Sequence, residues 1–155
     1  MSNIIVALST WLHALATIVM VGYFVFAGLI YLPVLERQMQ GSNLRKLLEQ
    51  VSARLKPYFG GSLLIFLVTG THLMLINESY MGLGKIFANP WCILIVIKHV
   101  LIVLFLTLAF YSERSFLPQI SDQTPLAVAR FHWALNINLI LGAIILLLTA
   151  IAQAG

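Results

Sequence analysis

Four histidines, His13, His72, His99 and His132, offer the most chemistry in this chain, and all of them lie in strongly apolar surroundings. Imidazole ligates copper and haem iron, and an ionisable ring inside hydrocarbon is costly enough that it faces a protein interior or holds something. Lys98 is the one further charged residue near the middle of an apolar stretch. Its ammonium either snorkels outward or faces inward and neutralises an anion such as a haem propionate. The single cysteine, Cys92, excludes a disulfide within the chain. Nothing resembles a nucleophilic triad, a phosphate-cradling glycine loop, a CxxC pair or a pair of carboxylates placed for acid-base work.

The elements that position these residues follow from composition. Of 155 residues 61% are apolar and 9% charged, with mean hydropathy +0.98. A soluble domain has roughly 45–50% apolar and about 25% charged residues, so most of this apolar surface must face lipid. The net charge of +4 and pI near 9.5 are therefore read as topology signals. Without a basic patch interleaved with aromatics, nucleic acid is excluded as a partner.

Four apolar runs, near 4–32, 58–76, 91–111 and 127–152, are long enough to span a bilayer, which takes roughly 20 helical residues. Pro33 follows the first, Pro57 opens the second, Asn89-Pro90-Trp91 opens the third and Thr124-Pro125 the fourth. Arg37, Arg45, Lys46, Arg54 and Lys56 crowd the first connection and Arg114 the third, whereas the second holds only Lys85. The positive-inside rule then puts the first and third connections in the cytoplasm and both termini outside. No basic residue precedes the first run, so it is kept as a helix rather than a signal peptide. Leu44, Leu47, Leu48, Val51 and Leu55 recur at helical spacing behind a candidate N-cap at Ser42. That pattern predicts an interfacial cytoplasmic helix near 42–56. The expected fold is all-α, a single up-down four-helix transmembrane bundle in a bacterial inner membrane.

Depth sorts the histidines. At ~1.5 Å per residue, His13 lies about 13 Å inward from Ile4, His99 about 12 Å from Trp91, and His72 about 6 Å from Ile76. All of these occupy the outer half, while His132 enters roughly 7 Å from the cytoplasmic end and cannot meet them. His13 and His99 share a level, as two axial ligands of one haem b would. His72, one turn higher, replaces one of them or bonds a propionate. Copper is the competing occupant, with Cys92 seven residues before His99 and Met20 seven after His13, stations about 10.5 Å apart along a path. Asn136 and Asn138 are expected to bond across helices, the glycines of the spans to permit close packing, and Tyr23, Tyr31, Tyr58, Trp11, Trp91 and Trp133 to form interfacial belts.

His13 followed by Val21-Gly22 and Leu32-Pro33, then Thr69-Gly70, then Lys98 before an apolar run, resembles the CopD-like superfamily. That group takes in the copper-resistance protein D domain and, more distantly, HemJ-type protoporphyrinogen oxidases. The resemblance covers most of the chain and implies either copper uptake or resistance, or a haem b protein oxidising protoporphyrinogen IX. The HemJ-type first-helix histidine matches His13 and its third-helix lysine matches Lys98. The chain departs from that pattern at Met20, where tryptophan is usual, and by adding His72 and His99, which argues against the oxidase activity and for a bis-histidine site.

The expected function is thus a redox membrane protein with haem b held by His13 and His99, with His72 and Lys98 supporting or replacing them. It would pass electrons to a quinone, a porphyrin or a membrane partner. Two alternatives stand beside it: a copper uptake or resistance protein binding Cu(I) through His13, His72 and His99, and a structural subunit of a membrane complex. Association with a second copy of the chain is left open.

Overall fold

The computed structural model describes residues 3–39, 41–85, 87, 89–121 and 125–154. Among the described residues there are helices and turns and no strand. Four helices are long and apolar enough to cross a membrane: α1 (Asn3–Gln38), α2 (Gly41–Leu75), α3 (Pro90–Gln119) and α4 (Pro125–Ala154). Hydrocarbon supplies no partners for backbone N–H and C=O groups, so runs this long and apolar satisfy them as helices. The start of α3 is capped as its sequence predicts. The Asn89 side chain accepts from the Cys92 N–H at 2.7 Å, and Pro90 fills the first turn, where its missing N–H costs nothing. Thr124, expected to open the fourth helix, lies outside the described residues.

The separate helix expected near 42–56 is not separate. Helix α2 runs unbroken from Gly41 through Pro57, which forgoes only the hydrogen bond that its missing N–H would have made to Ala53. Leu44 and Leu48 are buried in the protein core with Leu32, Leu35 and Leu117. The first turns of that apolar stripe are therefore covered by protein, while Val51 and Leu55 further along are half-exposed. Ser42 is no cap either, because the helix already begins at Gly41, whose φ of +56° favours glycine.

Helix α1 packs against α2 and α4, and α3 packs against α4, so α1 and α3 stand diagonally. Phe24 of α1 reaches across to Phe105 of α3, edge to face with ring centres 4.9 Å apart. Asn138 of α4 is fully buried beside them. Its amide donates to the Phe105 carbonyl at 3.0 Å and accepts from the Ala109 N–H at 3.3 Å, the interhelical role expected of it. Helices α2 and α3 meet chiefly at the last turn of α3, Leu117–Gln119. Each of α1 and α3 carries one π-helical turn, Ala27–Tyr31 and Ser112–Phe116. Large apolar side chains such as Ile4, Ile18, Val103 and Leu147 cover the outside of the bundle, as a lipid-facing surface requires.

Candidate functional site

At the end of the bundle where α1 begins, His13 is held by α2 on two sides. Its ring stacks on Phe66 with centroids 4.5 Å apart, and its Nδ1 lies 3.0 Å from Thr69 Oγ1. Gly70 makes room for the ring, since a Cβ there would sit 2.9 Å from His13 Cε1. The protons can be counted. With Thr69 donating its one hydroxyl proton to the Ile65 carbonyl, 2.6 Å away, its oxygen accepts from Nδ1–H of the imidazole. In the neutral ring that leaves the lone pair on Nε2, the arrangement by which a neighbouring acceptor readies a histidine to bind a metal.

His72 lies three residues after Thr69, one turn along the same side of α2, and its Nδ1 is buried without a hydrogen-bond partner. A buried imidazole nitrogen left unpaired is costly, and ligands are among the things that relieve it.

From α3, Lys98 lies half-buried and within electrostatic range of His13. Consecutive residues on a helix point about 100° apart, so Lys98 and His99 cannot both face α1. The fold selects Lys98. His99 is exposed on the outside of the bundle, and its Nδ1–H donates to the carbonyl of Ile95 one turn earlier, at 2.7 Å. The haem expected between His13 and His99 therefore finds no support in the geometry. His13 is turned to α2, and His99 to the carbonyl of its own helix.

The expected copper stations also have other duties. Cys92 is buried, and its Sγ lies 3.6 Å from the Ser79 carbonyl, to which Asn89 Nδ2 also donates at 2.9 Å. Together they tie the loop after α2 to the start of α3. Met20 is packed in the core. Among the described residues no group of three or more His, Cys, Asp or Glu side chains could enclose a metal ion. His132 sits apart at the opposite end, where its Nδ1 is 3.5 Å from Glu36 Oε1.

That opposite end contains the feature least visible in the sequence, a cavity of about 780 Å³ bounded by all four helices. Both π-helical turns line it. Tyr23 and Tyr31, expected in an interfacial belt, face this space instead. Glu113 at its rim bonds Ser52 Oγ and pairs with Lys56 Nζ at 3.1 Å. Ser52 and Lys56 are four residues apart, a spacing that could have suggested a shared partner, but Glu113 lies on a different helix.

A family model described as copper resistance protein D matches residues 49–152, which covers α3, most of α2 and nearly all of α4 but leaves out α1 and so His13. No curated protein and no solved structure matches the chain.

Proposed function

Because this chain belongs to the copper resistance protein D family, we propose that it is a copper-handling protein of a bacterial inner membrane, with Cu(I) as cargo received by His13 Nε2 and His72. The cluster lies in the outer half when the basic connections are placed in the cytoplasm and both termini outside. One observation carries this reading: Thr69 orients His13 with its Nε2 lone pair free, one turn from a buried and unpartnered His72 nitrogen. Two imidazoles suit Cu(I), and they do not amount to a closed cage.

Lys98 sets the character of the site. An ammonium within electrostatic range of His13 repels a resident monovalent cation, so it favours passage over storage. His99, exposed and satisfied by its own helix, takes no part. The test is a Cu(I) titration of the full chain in nanodiscs against a chromophoric Cu(I) chelator. Wild type should take up one Cu(I) per chain, and His13→Ala and His72→Ala should each weaken uptake at least tenfold, about 1.4 kcal/mol. Uptake that survives both substitutions overturns the proposal. A purified protein carrying a reducible b-type haem band, lost in His13→Ala and His99→Ala, would reinstate the haem reading instead.

A further inference from the structure

The cavity at the opposite end has three properties that together specify an occupant. Its body is apolar and its size, about 780 Å³, lies within the roughly 300–1,000 Å³ of small-molecule sites. It is open sideways. Val19, Phe26, Tyr58 and Phe110 both line it and are exposed on the outside of the bundle, so the opening faces the hydrocarbon that surrounds a spanning helix. Its polar lining groups are unequally matched. Lys56 and Glu113 neutralise one another. Arg114 beside them makes no ion pair with any described residue, and Tyr31 Oη is buried with no hydrogen-bond partner.

We propose that this cavity binds an anionic phospholipid from the surrounding leaflet, with its acyl region between α2 and α3 and its phosphate at Arg114 and Tyr31 Oη. A wholly apolar guest would leave the tyrosine hydroxyl unpaired, and a zwitterionic lipid would gain less from the Arg114 guanidinium than a net anionic one. A basic pocket between spans at a charged membrane face is the setting in which lipid phosphates are held. The proposal is independent of the copper reading, because the two sites occupy opposite ends of the bundle and are read by different probes.

Native mass spectrometry of the full chain, released from detergent with phosphatidylglycerol or phosphatidylcholine of identical acyl chains, tests this directly. One phosphatidylglycerol per chain should be retained, preferred over phosphatidylcholine by roughly fivefold, the effect of one cation near an anionic headgroup. Arg114→Gln should abolish that preference while leaving both lipids able to bind, and Ala109→Phe, which fills the cavity, should displace both. Should Ala109→Phe fail to fold, Arg114→Gln still decides, since its side chain is exposed at the rim. Equal retention of the two lipids by wild type, or a preference that survives Arg114→Gln, overturns the proposal. So does displacement of phosphatidylglycerol by inorganic phosphate alone, which would mark a soluble-anion site.

Discussion

The two ends of the bundle solve the problem of polar groups in lipid in opposite ways. Around His13 the polar atoms are packed against one another: the ring is stacked on Phe66, bonded to Thr69 and pressed onto Gly70. Around Tyr31 and Arg114 the polar groups border a volume of about 780 Å³. The difference teaches that size and donor chemistry together select the guest. Oriented imidazole packed by its neighbours suits a single soft cation, whereas a roomy apolar slot beside a guanidinium that pairs with no described residue suits a long amphiphile.

The comparison breaks most decisively at Gly70. Gly70→Val should remove the space that His13 occupies and abolish Cu(I) uptake while leaving phosphatidylglycerol retention unchanged, as titration and native mass spectrometry would report. Thr69→Val comes next. Removing the acceptor that holds the Nδ1–H tautomer should weaken Cu(I) about 10–100-fold, the usual cost of losing a partner behind a metal ligand. Lys98→Met should act in the other direction, strengthening Cu(I) on the order of tenfold by deleting the repelling charge, measured in the same titration. The smallest effects sharpen the contrast: His99→Ala and Arg114→Gln should each leave the Cu(I) affinity within about twofold of wild type, since neither touches the His13 seat.

Much of this was legible in the residues. The four spans follow from apolar length alone, and the Asn89-Pro90 start of α3 is where cap chemistry places it. The grouping of His132 away from the other histidines follows from helical rise. What failed was rotation about the helix axis. Helices α3 and α4 are apolar almost all round, so no polar face reports which side is inward, and Lys98 and His99 were equally eligible to face His13. The continuity of α2 is hidden in the sequence because Pro57 reads as a helix start, although a spanning helix tolerates it. The cavity is hidden because its parts come from four helices and two π-helical turns, which no local pattern announces. Tyr31 and Arg114 had ordinary interfacial roles until the helices were assembled.

The central claim is that His13 and His72 jointly receive Cu(I), and copper K-edge X-ray absorption of the Cu(I)-loaded chain in nanodiscs examines the bond itself. The account predicts a low-coordinate Cu(I) with two imidazole nitrogens and no sulfur scatterer, one imidazole being lost in His72→Ala. A sulfur neighbour from Cys92 or Met20, or a spectrum unchanged by His72→Ala, would contradict it.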